Sequence, residues 1–253
     1  MPYGYATDHE DHTDYASGRV LYSLPGQPAF PVRLVSEIFQ RCLAMREASG
    51  LRGLCTLYDP CCGGAYHLTT LAYLHWGAID QIIASDVSEE AVALAQRNLS
   101  LLALEGLESR AAKIAEMLKS YGKDSHATAL ESAQRLRSRL LSHLEEHPIE
   151  TRVFRADTTI AEELRAGLQG TEVDIVLADV PYGETSEWQQ TSAATDSGET
   201  ALWQMLEALR GVVSSSTVVA IATGKQQKVA HAAYRRLDRF NLGRRRIEIL
   251  KLA

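Results

Sequence analysis

The 253 residues carry 26 Lys and Arg against 32 Asp and Glu, a formal net charge of −6, with 45% hydrophobic and 23% charged side chains. That balance suits a soluble globular chain with one full α/β core and length to spare, and no apolar run approaches the roughly 20 residues of a membrane span. The polar, acidic start does not resemble a leader peptide, and four cysteines, two of them the adjacent Cys61 and Cys62, match neither a disulfide framework nor a C-x-x-C metal site. A single domain over 1–253, monomeric and cytoplasmic, is expected.

Residues 1–18 gather Asp8, His9, Glu10, Asp11, His12 and Asp14 without any spacing that would fix ligands, so a solvated terminus and no metal are expected. Residues 24–31, LPGQPAFP, read as a proline-rich turn, and 32–48 place Leu34, Val35, Ile38, Leu43 and Met45 at helical recurrence. Residues 1–50 are thus an N-terminal extension and helix.

The stretch 57–68, LYDPCCGGAYHL, reads as a strand, a tight turn and the start of a helix. Gly63 and Gly64 let the backbone turn sharply and approach a ligand, while the following helix offers its N-terminal amides. Asp59 ends the strand where it can accept from a cationic group. A glycine pair alone is equally an ordinary turn. Residues 81–85 form a second apolar run closed by Asp86 and Val87, and 88–99 a helix with Ser88 as cap and Glu89 and Glu90 in its first turn. Asp86 lies 22 residues beyond Gly64, where a doubly wound sheet puts the acid that binds a ribose hydroxyl pair; otherwise it is a polar strand end.

Residues 100–150 carry helical periodicity with almost no strand signal, and predict a helical hairpin inserted before the third strand, turning at 121–125. Arg135 and Arg139 share a face, but acids outnumber the seven Lys and Arg there, so a solvated face is expected over a substrate-gripping one. Residues 151–156 resume a strand that ends at Asp157 and Thr158; Asp157 either meets a ligand or caps the helix 160–168. The run 174–184, DIVLADVPYGE, is a buried strand that delivers Asp179, Val180, Pro181 and Tyr182 to the carboxyl edge, where ligands bind in such sheets. A loop follows over 184–200, with Trp188 in it, then a helix over 201–213 and a strand over 217–222. Residues 225–251 hold nine Lys or Arg against Asp238 and Glu248. Lys225, Lys228, Arg235, Arg236, Arg244 and Arg245 are candidate phosphate contacts, and Ile247, Ile249 and Leu250 mark a closing strand.

The D-x-PYG of 179–183 resembles the (D/N)-P-P-(Y/F) motif of amino- and base-directed methyltransferases, with Val180 in place of the first proline. With DP-x-CGG at 59–64 it is most similar to the guanine-directed tRNA and rRNA methyltransferases, and more narrowly to the avilamycin-resistance rRNA methyltransferases of antibiotic producers. The resemblance covers residues 55–222 apart from the hairpin; Val180 and the bulky Ala65-Tyr66 after the glycines depart from it. It implies a Rossmann-like class I methyltransferase fold: a mostly parallel seven-stranded sheet flanked by helices, with the helical insertion before the third strand. It also implies S-adenosylmethionine as cofactor, held by Asp59, Cys61, Gly63, Gly64, Asp86, Val87, Asp157, Thr158 and Asp179, with Asp157 at the adenine amino group.

By the same resemblance Asp179, Pro181 and Tyr182 are catalytic, acting on a guanine of 23S rRNA, free or in the large ribosomal subunit, and the modification protects against an orthosomycin antibiotic. The motif also serves tRNA, protein or small-molecule methyltransferases, and the residues alone do not separate guanine from adenine. A noncatalytic RNA-binding module would keep the pocket without turnover. An NAD-dependent dehydrogenase would share the glycine turn and ribose acid but leave D-x-PYG without a role.

Overall fold

Four short runs whose residues are almost all buried become the central strands, because strands covered by helices on both faces have little solvent side to supply polar residues. In the computed structural model, which describes residues 3–8, 11–23, 29–180 and 200–253, they are β1 (Cys55–Asp59), β2 (Ile79–Asp86), β4 (Ile175–Asp179) and β5 (Val218–Gly224). With β3 (Glu150–Arg155), β6 (Tyr234–Leu242) and β7 (Arg245–Leu252) they form one sheet in the order β3-β2-β1-β4-β5-β7-β6. Strands β1 to β5 run parallel; β7 is antiparallel to β5 and to β6. The chain order reverses between β1 and β4, and ligands bind at the carboxyl ends beside such a switch.

One face of the sheet packs Leu57, Ile82, Leu177, Ala220 and Ile247 against α1 (Val32–Ala48), α2 (Tyr66–Leu74) and α3 (Glu89–Leu99). The other packs Tyr58, Ile83, Val176 and Val219 against α6 (Ala161–Leu168) and α7 (Ala201–Arg210). The helix expected over 32–48 has those bounds, and Ser88 caps α3 as expected, accepting the Ala91 N–H at 3.3 Å. Strand β6 is the element that periodicity missed: YRRLDRFNL sits at the sheet edge, where alternation with charged residues hides the pattern.

The inserted hairpin is α4 (Leu104–Tyr121) and α5 (Asp124–Glu146), closed by Gly122 at φ +60 with its N–H donating to Leu118 O at 2.8 Å. Leu107 and Ile114 of α4 and Ala133, Leu136 and Leu140 of α5 are buried in the same core as α1 to α3.

The N-terminal extension is not the solvated terminus that its composition predicts. Tyr15, Val20 and Leu21 are buried, and fully buried Glu37 of α1 accepts the backbone N–H groups of Gly4, Tyr5 and Ala6, each at 2.8 Å. Burial opposes the Glu37 charge, yet those three donors and Arg41 hold its carboxyl below the usual range. Arg33 donates to Ala6 O and Thr7 O. Arg135 reaches Asp14 at 2.7 Å and Arg139 reaches the Tyr15 hydroxyl at 2.7 Å, so these arginines of α5 grip the chain's own N-terminus rather than standing on a purely solvated face. Composition misled because each anchor is one side chain from a distant element.

Candidate cofactor and substrate site

Each of four neighbouring strands, in the spatial order β3-β2-β1-β4, leads into an acid at its carboxyl end: Asp157, Asp86, Asp59 and Asp179. The turn after β1 is built around two of them. Asp59 is fully buried; its Oδ1 accepts the Cys61 N–H at 2.8 Å and its Oδ2 lies 2.6 Å from His67 Nε2 on α2. A histidine of the chain thus already partners the Asp59 carboxylate. Gly63 takes φ +51 and donates its N–H to Asp86 Oδ2 at 2.9 Å, so the ribose-acid position also supports the glycine turn. Gly64 has a packing task besides the one expected: a Cβ there would come within 2.4 Å of Leu94 Cδ2, so its bareness lets the turn pack on α3. Ala65, the residue that departs from the family pattern, adopts a left-handed φ of +52.

Asp86 also accepts the Ser88 N–H at 3.0 Å, and burial pushes its carboxyl up against those two donors. Val87 is half-buried beside it. Asp157 does not cap α6. Its carboxylate accepts from Thr159 N–H at 2.9 Å and Thr159 Oγ1 at 2.6 Å, while Glu163 in the first turn of α6 reaches back to the Asp157 N–H at 2.8 Å. Next to it Thr158 Oγ1 is buried with no oxygen or nitrogen partner, and the Cys61 thiol is its neighbour. Burial, then the charges of Asp59 and Asp86, push that thiol well up and keep it protonated at neutral pH.

Asp179 closes the row. Burial raises its carboxyl to about 6, with Arg245 and His67 pulling down and Asp59 pushing up. Its Oδ2 stands 3.6 Å from Arg245 Nη2, and its Oδ1 is buried with no partner among the described residues. A buried, unpaired carboxylate oxygen is costly, which is the signature of an atom awaiting a ligand's donor. The substitution of Val180 for proline has a local reason: its N–H donates to Ala222 O at 3.1 Å, a bond proline cannot make. Pro181, Tyr182 and Trp188 lie outside the described residues.

Three site residues escaped the sequence reading. Asn98 is fully buried and donates to Gly64 O at 2.7 Å and Tyr22 O at 3.1 Å while accepting the Tyr22 N–H at 2.8 Å, which ties the glycine turn to the N-terminal extension. Its signal was a polar residue on the apolar face of α3. His67 carried no separate signal. Arg245 was grouped with the phosphate contacts, yet it lies against Asp179 with its guanidinium 4.7 Å from the Phe30 ring. Lys225, Lys228, Arg235, Arg236 and Arg244 are exposed around β6 and β7, Arg236 pairing with Glu248 at 3.4 Å.

A row of carboxylates with a buried carboxylate oxygen at Asp179 unpaired among the described residues, and a buried Thr158 hydroxyl met only by the Cys61 thiol, suits a ligand that is cationic and rich in hydroxyl and amino donors. It repels a pyrophosphate, so a nicotinamide dinucleotide is a poor match. Among the described residues, no cluster of His, Cys, Asp and Glu could hold a metal ion, and no helix is long and apolar enough to cross a membrane.

A family profile described as "rRNA methyltransferase AviRa" matches residues 1–245. The chain is 38% identical over 252 residues to the 23S rRNA (guanine(2535)-N(1))-methyltransferase of Streptomyces viridochromogenes, covering 99% of this chain and 96% of that one. A solved structure of the rRNA methyltransferase aviRa from the same organism superposes with a TM-score of 0.87 at 35% identity, again over 99% and 96% of the two chains. TrmN from Thermus thermophilus, at 15% identity and a TM-score of 0.50 over 90% of this chain and 50% of its own, shares the fold.

Proposed function

The chain belongs to the AviRa family of rRNA methyltransferases, and on that footing we propose that it transfers a methyl group from S-adenosylmethionine to N1 of a guanine in 23S rRNA. The observation that carries this reading is Asp179: a carboxylate at the switch-point edge, with one oxygen toward Arg245 and the other buried and unpaired.

The cofactor supplies a methyl group on a sulfonium, already a good leaving group, so the protein's work is alignment, charge placement and exclusion of water. When bound, the cofactor would be held by Asp86 at the ribose hydroxyls, by Asp157 and Thr158 at the adenine end, and by the turn of Gly63 and Gly64 with Asp59 and Cys61. No nucleophilic side chain is required, and the protonated Cys61 thiol does not compete for the methyl group. Asp179 accepts the proton of guanine N1. Its carboxyl, raised to about 6, is ionised at neutral pH yet more basic than an ordinary aspartate, as a general base should be. Pro181 and Tyr182 follow it in sequence and are assigned to the face of a base swung out of its stack, with a stacking worth of ~1–3 kcal/mol. The exposed cations around β6 and β7 supply phosphate contacts. Methylation of the large-subunit RNA in turn protects ribosomes against avilamycin.

Transfer of labelled methyl from S-adenosylmethionine to 23S rRNA, 16S rRNA and tRNA in parallel, followed by nucleoside analysis, tests this. The expected product is 1-methylguanosine in 23S rRNA alone. Cofactor binding without label in any RNA would redirect the substrate to proteins or small molecules.

A further inference from the structure

Among the described residues of the basic strands, Arg245 is the cation that pairs with the row of acids, at Asp179. It opens β7, two strands away from β4, and the intervening β5 decides whether it can reach Asp179. The register runs Asp179 to Ala222, Ala222 to Ile247 and Gly224 to Arg245, so these residues share one face, and β5 offers only a methyl group and a hydrogen along the way. Phe30, 4% exposed, lies under the guanidinium at 4.7 Å and leaves its in-plane N–H groups to act at the edge. The groups that face Asp179 are Arg245 from β7, His67 from α2 and Asp59 from β1.

An acceptor and a donor held side by side form a pattern that a base edge can match. Guanine presents O6 as acceptor beside N1–H and N2–H donors; adenine presents an amine donor beside an N1 lone pair, which would set donor against donor and lone pair against carboxylate. From this pairing we propose that Arg245 is a catalytic and specificity-determining residue, donating to guanine O6 while Asp179 accepts from N1–H. The assignment rests on the guanine reading above and supplies what the sequence motif left open, the choice of guanine over adenine.

In the step itself the N1 proton passes to Asp179 and the electron pair left on N1 forms the bond to the methyl carbon. The methyl–sulfur bond breaks with its pair remaining on sulfur as a neutral thioether. As N1–H is lost, negative charge spreads onto O6, and Arg245 meets it there in a dry site, where such donors act most strongly.

The test uses full-length protein, S-adenosylmethionine and 23S rRNA, comparing the unchanged chain with Arg245→Met and Arg245→Lys. For Arg245→Met the expected result is a fall in kcat of about a hundredfold or more, with cofactor affinity and KM for RNA changing less than about threefold. Because Arg245 holds the Asp179 carboxyl down, its removal also moves the acid limb of the rate–pH profile upward, and Arg245→Lys restores part of both effects. A structural role alone would not move that limb. Normal kcat and an unmoved limb in Arg245→Met, or a loss confined to KM with a weaker salt dependence, overturns the proposal and returns Arg245 to the phosphate contacts. Should Arg245→Met fail to fold, the acid limb of Arg245→Lys decides. Absence of methylguanosine with the unchanged chain overturns the guanine reading and this assignment together.

Discussion

The two ends of the sheet are built to opposite charge. The parallel strands β3, β2, β1 and β4 run into Asp157, Asp86, Asp59 and Asp179, while the antiparallel pair β7 and β6 with the loop before it carries nine cations against two acids. The net charge of −6 is taken over the whole chain and describes neither region. A cationic cofactor and a polyanionic substrate need surfaces of opposite sign, and a sheet that changes strand direction at β5 can keep them apart. Where they meet, Arg245 and Asp179 stand 3.6 Å apart.

The sharpest way to break this contrast is at the acidic end. Asp179→Asn is expected to lower methyl transfer by ~10²–10⁴-fold, the usual worth of a positioned general base, with cofactor affinity retained. Equal losses of binding and rate, measured by calorimetry beside single-turnover transfer, would move Asp179 into the cofactor shell. In the unchanged chain transfer should fall about tenfold per pH unit below about 6, where the carboxyl becomes protonated. The stability consequence has the opposite sign. The folded state holds this proton up to about pH 6 while an unfolded aspartate releases it near 4, so this group's contribution to stability falls as pH rises through that window. Asp179→Asn should therefore melt higher than the unchanged chain at pH 7 while being inactive.

The next effect separates the acids from one another. Asp86→Ala should weaken S-adenosylmethionine several-fold to a hundredfold, on the order of 1.5–3 kcal/mol for charge-assisted hydrogen bonds. An unchanged dissociation constant would leave Asp86 only as a support of the Gly63 turn. Gly64→Ala acts on the same turn through packing, because its methyl would overlap Leu94; a loss of about 1–3 kcal/mol in denaturant unfolding is expected.

The basic end gives smaller steps. Replacing Lys228 and Arg244 together by Ala should lower the slope of log affinity against log salt for RNA by roughly 1–2, with cofactor affinity untouched. An unchanged slope would place the phosphate contacts elsewhere. Smallest is Arg135→Ala, which removes an ion pair whose arginine is half exposed; its thermal melting midpoint is expected to move least of the set.

The strands β1, β2, β4 and β5 were legible because burial on both faces leaves a mostly apolar run, and the acids that end β1, β2 and β4 were legible because each follows its run directly. The helices α1 and α3 and the hairpin α4–α5 were legible by their 3.6-residue recurrence. Strand β6 was not, since its edge position allows charged residues at most positions. The docked N-terminus was hidden for a related reason: the side chains of Glu37 and Arg135 hold it from 31 to 33 and 121 residues away.

The sequence by itself therefore determined the α/β class, the carboxyl-edge acids and the family resemblance, all of which depend on neighbours in the chain. Only the tertiary structure decided that Gly64 makes room for Leu94, that His67 partners Asp59, that Asn98 ties the turn to Tyr22, and that Arg245 stands beside Asp179 instead of among the surface cations. Three of these four are pairings between elements 30 to 76 residues apart, fixed by strand register and helix packing, and such pairings leave no period in the sequence.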